Sequence, residues 1–240
     1  MDFEEFKKKM NFYLEELSIM FNEEQHRKFY TYMNLLLEWN EKINLTAITD
    51  KEEIILKHFI DSLTIAKYID KNSKLIDVGT GAGFPGIPIK IYREDVEITL
   101  LDSLNKRVNF LDTVIKELKL EKIVAIHGRA EEMARNKEYR ERFDVATSRA
   151  VANLATLSEY LVPFVKEDGI IISMKGDNIE EEQEEAKRAI KVLGAKLKKV
   201  ERFELPKSNI KRSLVILKKV SKTPIKYPRK PGTPAKEPIK

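Results

Sequence analysis

A chain of 240 residues, 42% hydrophobic and 35% charged, is long enough to bury a full core beneath a salt-rich surface. It has no cysteine, which excludes disulfides, thiolate metal sites, iron–sulfur clusters and cysteine nucleophiles, and fits a reducing compartment. The net charge of +5 is mild. With no basic-then-apolar leader and no apolar run of membrane length, the expectation is a cytoplasmic protein with no membrane partner.

Residues 1–70 read as a helical extension. Phe3, Phe6, Met10, Tyr13, Leu14 and Leu17 recur at spacings of three and four, as do Phe29, Tyr32, Met33, Leu36 and Trp39. A third helix is predicted from a cap at Asp50, with Glu53 three residues on, to about Ile69. These aromatic stripes are expected in the core. From Lys74 the pattern alternates: KLIDVG, EITLLD, KIVAIHG, FDVATSRA and DGIIISMKG read as strands, each followed by a helical stretch. Such alternation predicts a mostly parallel sheet covered on both faces, over residues 71–220. AKLKKVERFEL and RSLVILKKV complete seven strands. Only PKSNIK joins them, too short for a crossover, so the final pair is expected to be antiparallel. Residues 221–240 form a Pro-rich tail carrying Lys222, Lys226, Arg229, Lys230, Lys236 and Lys240. It is expected to form neither helix nor central strand.

The stretch LIDVGTGAGFPGIP carries the chemistry. Gly81, Gly83 and Gly86 fit G-x-G-x-x-G after a strand, and Asp102 ends the next strand about twenty residues on, placed to accept from two ribose hydroxyls. This spacing indicates an adenosine-type cofactor and leaves a nicotinamide dinucleotide and S-adenosylmethionine both open. Two details favour the latter. Pro85 and Pro88 delete N–H donors that a pyrophosphate would need. Asp77, just before the glycines, would repel a diphosphate but attract the α-ammonium of a methionine moiety or its hydration shell. Asp77 to Gly83 therefore looks like the first motif of Rossmann-like class I methyltransferases. Strand ends extend the candidate site to Asp102, Ser103 and Leu104, then Ala130 and Glu131, then Arg149. Leu104 can cover an adenine face, Glu131 stands at the height of its edge, and Arg149 falls where cofactor and substrate meet.

Missing motifs narrow the substrate. Without cysteine, carbon-5 pyrimidine methylation has no nucleophile, and ATSRAVANL replaces the Asn/Asp-Pro-Pro-aromatic loop of amino methylation. No residue cluster suggests a metal, and hydrogen-bonded structural roles are expected for His26, His58 and His127. An atom that is already nucleophilic, such as guanine N7, suits this site, with catalysis by positioning and charge stabilisation. A small-molecule methyltransferase and a ribosome-assembly binder with a vestigial pocket are the competing readings.

The segments LLLEWNEKINLTAI, HFIDSL, DVGTGAGFPGIPIKI, LLDSLNKRVNFL, GRAEE, FDVATSRAVA and YPRKPGTPAKEP, in this order, resemble the glucose-inhibited division protein B family. Its members are 16S ribosomal RNA guanine-N7 methyltransferases. The resemblance runs from about Leu35 to Lys240. It implies S-adenosylmethionine as cofactor, held by Gly79, Phe84, Asp102–Leu104, Ala130, Glu131 and Arg149. It also implies a guanine in the small-subunit RNA, or in an assembly intermediate of that subunit, as substrate. For RNA contact the candidates are Lys106, Arg107, Lys175, Arg229 and Lys230, with Asn40–Asn44 as a further wall; a monomer is expected.

Overall fold

The computed structural model describes residues 1–149, 152–177 and 179–239. Ala150 and Val151 of the DVATSRAV stretch, and Lys240 of the tail, lie outside the described residues.

Strands β1 (Lys74–Val78), β2 (Glu97–Asp102), β3 (Ile123–His127), β4 (Phe143–Arg149), β5 (Val165–Lys175), β6 (Ala195–Glu204) and β7 (Lys211–Lys219) form one seven-stranded sheet in the order β3-β2-β1-β4-β5-β7-β6. The first five pair in parallel, and β7 runs against both β5 and β6. The sheet therefore reverses strand order beside β1, between β1 and β4, where ligands of such folds sit.

The two-residue period divides each strand between two apolar layers. Leu75, Leu214 and Ile216 face a layer shared with Phe6, Phe29, Tyr32, Leu36 and Phe59, all from the N-terminal helices. Ile76, Val215 and Leu217 face the opposite layer with Leu157, Phe164 and Ile190. The helices α1 (Phe3–Leu14) and α2 (Glu23–Ile43) thus share one continuous core with the sheet. Each fully buried Phe or Leu there contributes about 1.5–3 kcal/mol of transfer free energy.

Local signals explain most boundaries. Asp50 caps α3 (Lys51–Ile54), its side chain accepting from the Glu53 N–H at 2.9 Å. The helix then widens into a π turn over Ile55–Ile60, tightens again as α4 (Asp61–Leu63), and gives a 3-10 turn at Ala66–Tyr68. The predicted unbroken helix to Ile69 is therefore replaced by three geometries. Here the Ser62 hydroxyl donates to the His58 carbonyl and that of Thr64 to the Asp61 carbonyl, drawing the backbone aside. Helices α5 (Gly86–Tyr92), α6 (Asn105–Glu117), α7 (Ala130–Met133), α8 (Leu154–Leu161) and α9 (Glu180–Val192) follow their strands as the alternation predicts.

The tail departs from expectation. It folds back against the domain and ends in a one-turn helix, α10 (Thr233–Lys236). Pro234 sits in the first turn, where its missing N–H costs no helical bond. The buried Lys219 ammonium ties Glu141 at 3.0 Å to Thr223 at 2.8 Å. Arg140 donates to the carbonyls of Thr223 at 2.8 Å and Tyr227 at 2.9 Å, and Thr156 Oγ1 to that of Pro234 at 2.9 Å.

Candidate cofactor and substrate site

At the carboxyl end of β1 the chain turns through Gly79 and Gly81, at φ +68° and +63°. Both values lie in the left-handed region that glycine enters without penalty. A Cβ on Gly81 would meet nothing within 4 Å, so this backbone faces open space. That space is a cavity of about 500 Å³, lined by Gly79, Thr80, Gly81, Ala82 and Phe84 from the loop. Leu45 and Thr46 from the loop after α2, with His58 and Asp61 from the helical run that follows, close one side, and Arg107 from α6 with Arg149, Lys175 and Arg212 from the strands close the other. A groove of similar size, about 510 Å³, lies among Leu17, Leu63, Tyr92 and Phe203, and takes no residue from the glycine loop.

Asp77 is wholly buried beneath the loop. Its Oδ2 accepts from Thr80 Oγ1 at 2.6 Å and from the Gly86 N–H at 2.9 Å, while Oδ1 has no partner among the described residues. Loss of hydration pushes this carboxyl up to about 6. Asp77 is not among the residues that line the cavity. It holds the loop and presents a spare acceptor from below.

Asp102 plays a similar role on the neighbouring strand. Its oxygens accept from the N–H groups of Gly81 and Leu104, each at 2.9 Å. Arg107 stands 3.5 Å away. A carboxylate has about four acceptor sites, so capacity remains for a ribose. Ser103 and Leu104 are exposed at this rim, Leu104 being 42% exposed, as a cover for a planar ring requires. Ala130 is half-buried and Glu131 buried at the start of α7. Glu131 Oε1 is already engaged, accepting from the Gly232 N–H at 2.9 Å.

Arg149 ends β4 with its guanidinium bound on several sides. It donates to the Lys57 carbonyl at 3.0 Å, meets Asp61 Oδ2 at 3.4 Å, and lies 3.0 Å from His58 Nδ1. It also lies 4.8 Å from the Phe84 ring centroid, and His58 stacks on that ring at 4.5 Å. Burial, then Arg149, pushes the His58 imidazole down to about 3, so it is neutral at physiological pH. His58 Nε2 meets Thr46 Oγ1 at 2.8 Å. Phe84 is only 5% exposed, so little of its ring is offered to a ligand.

The residues proposed for RNA contact separate here. Lys106 is exposed in the first turn of α6, and Lys230 is exposed on the tail. Lys175 lines the cavity, yet its ammonium pairs with Glu182 at 2.7 Å and donates to the Ala152 carbonyl. Arg229 is committed elsewhere: it clasps the buried Glu159 through contacts of 2.7 to 3.1 Å, because a carboxylate held out of water needs a charge partner. Its expected contact with phosphates gives way to a tie that anchors the tail. Asn40–Asn44 do not form the cavity wall either; Leu45, Thr46 and Ile48 do. Sequence reasoning missed Asp61, Arg212 and the cavity position of His58. HFIDSL was visible as a motif, but only the fold brings it against β4 and β7.

The family model described as rRNA small subunit methyltransferase G matches residues 25–214. This chain belongs to that family. A relative named ribosomal RNA small subunit methyltransferase G, from Clostridium botulinum (strain Loch Maree / Type A3), is 54% identical over 94% of this chain and 95% of its own. Another of that name from Desulforamulus reducens is 55% identical over 93% and 94%. Among solved structures, a SAM-dependent methyltransferase from Aquifex aeolicus superposes with a TM-score of 0.55 at 16% identity, over 74% of this chain and 97% of its own. M. jannaschii TYW2 in complex with AdoMet gives 0.52 at 18%, over 67% and 75%. At such identities these two establish the Rossmann-like fold.

Proposed function

We propose that this chain transfers the methyl group of S-adenosylmethionine to N7 of a guanine in the 16S RNA of the small ribosomal subunit. The observation that carries this reading is the cavity itself: bare left-handed backbone at Gly79 and Gly81 on one side, Arg149 and Asp61 on the other. The donor set fits the cofactor. Asp77 Oδ1, buried beneath the glycine loop without a hydrogen-bond partner among the described residues, suits an ammonium or its hydration shell and would repel a diphosphate.

S-adenosylmethionine would supply an activated methyl on a sulfonium. Gly79 and Gly81 would receive its methionine portion, Asp102 the ribose, and Ser103, Leu104, Ala130 and Glu131 the adenine. Guanine N7 carries a lone pair and no proton, so no general base is required. Arg149, fixed by Asp61, His58 and the Lys57 carbonyl, positions the reacting partners. Lys106, Arg107 and Lys230 would meet phosphates, each contact adding to the salt dependence of binding. On this reading the chain acts in the cytoplasm as a monomer, on the small subunit or its assembly intermediate, with no membrane involved; among the described residues no helix is long and apolar enough to cross one.

Incubation of unmodified small-subunit particles with methyl-labelled cofactor, followed by mapping of the label, tests the proposal. Label on N7 of a single guanine is the expected result. Label on another base atom, or none, overturns it.

A further inference from the structure

The wall opposite the glycine loop holds an acceptor that no described residue satisfies. Asp61 is 3% exposed, lines the cavity, and uses only one of its oxygens. Oδ2 receives Arg149 at 3.4 Å and Arg212 at 3.2 Å; Oδ1 has no hydrogen-bond partner among the described residues. A carboxylate oxygen kept out of water without a donor is costly, and native proteins retain such groups where a ligand completes them. His58 and Asp61, on either side of the step from the π turn to α4, both line this cavity.

Resting on the guanine-methylation reading above, we propose that Asp61 reads the guanine: Oδ1 accepts from N1–H and the 2-amino group of the base. Guanine is the RNA base whose pairing edge offers two adjacent donors, the pattern that one carboxylate oxygen region can take. The two guanidiniums on Oδ2 hold the acid in place.

The same contact assists the reaction. The N7 lone pair forms the new N–C bond as the C–S bond breaks, and that bond pair stays on sulfur. The sulfonium charge is thereby moved onto the purine, with no proton transferred in the step. N1–H and the amino group become more positive as this happens, so a carboxylate at that edge binds the transition state more strongly than the ground state. Asp61 is on this account both a specificity residue and a stabiliser of the developing purine cation.

The test is a two-by-two comparison of wild type and Asp61→Asn on reconstituted small subunits carrying guanine or inosine at the target position. Inosine lacks only the 2-amino group. Wild type should lose about tenfold or more in kcat/KM on inosine, the scale of one hydrogen bond to a charged group. In Asp61→Asn the two guanidiniums hold the amide oxygen, leaving an NH2 facing the base. That variant should methylate guanine no better than inosine, at a reduced kcat, while cofactor affinity measured by calorimetry stays within about threefold. Equal use of both bases by wild type overturns the proposal whatever the variant does. So does an Asp61→Asn enzyme that keeps the wild-type preference, or one whose calorimetric cofactor binding is lost along with turnover. If wild type places no methyl on N7 of the guanine particle, it is the parent reading that has failed, not the assignment of Asp61.

Discussion

Asp77 carries opposing demands on one side chain. Its carboxyl rises to about 6 because burial penalises the ionised form more than Thr80, Gly86 and Arg149 favour it. In the unfolded chain it titrates near 3.8. A group raised on folding lends stability that is complete below the lower value and is lost as pH climbs through the higher one, so Asp77 weakens the fold between about pH 4 and 6. Asp77→Asn should therefore unfold at a higher denaturant concentration than wild type at pH 8, by about 1–3 kcal/mol, with the two curves converging below pH 4. Cofactor affinity should fall in the same variant, since Oδ1 no longer offers charge. A wild-type advantage in stability at pH 8 would refute the account. The sequence marked Asp77 as important from its place before the glycines. Its burial was not readable there, since only the packing of α5 over β1 determines which way the side chain turns.

At the scale of elements, the β1–loop–α5 unit separates its glycines by purpose. Gly86 lies so close to β1 and β2 that a Cβ would stand 2.3 Å from a Leu100 methyl and 3.0 Å from Asp77 Oδ2. Gly86→Ala should cost about 1–3 kcal/mol of stability through overpacking. Gly81 has open space before it but a backbone at φ +63°. Gly81→Val should cost about 1–2 kcal/mol from that backbone conformation and abolish cofactor binding by filling the cavity. Thermal unfolding and calorimetry on the pair distinguish the two effects; equal cofactor binding in Gly81→Val and wild type would contradict them. The strands and most helices were legible because period two and period 3.6 leave separate marks on the chain. The π turn at Ile55–Ile60 was not legible. HFIDSL keeps apolar spacing compatible with an ordinary helix, and the partners that His58 and Asp61 meet there, Arg149 and Arg212, lie far away in sequence.

Across the whole molecule, the ends of the chain are built into the centre. The N-terminal helices share the sheet's core, and the tail is fastened by charged ties that composition alone reads as a solvated arm. Arg229 illustrates the ambiguity: a basic residue beside prolines looks free until Glu159, seventy positions earlier, is found buried under it. Arg229→Met should destabilise by about 2–4 kcal/mol, because Glu159 would stay out of water without its partner. Adding Glu159→Leu should recover some of that loss, as chemical denaturation of both variants would show. An unchanged midpoint in Arg229→Met, with weakened binding to small subunits, would return the residue to the RNA-facing role.

The hydrogen bond from Gly232 to Glu131 joins the last turn of the chain to the rim where an adenine is expected. Nicking or trimming near the carboxyl terminus would accordingly be felt at the nucleoside end of the active centre before it is felt anywhere on the exterior. An aged or clipped preparation would let go of its coenzyme while still sedimenting and scattering light as an intact particle.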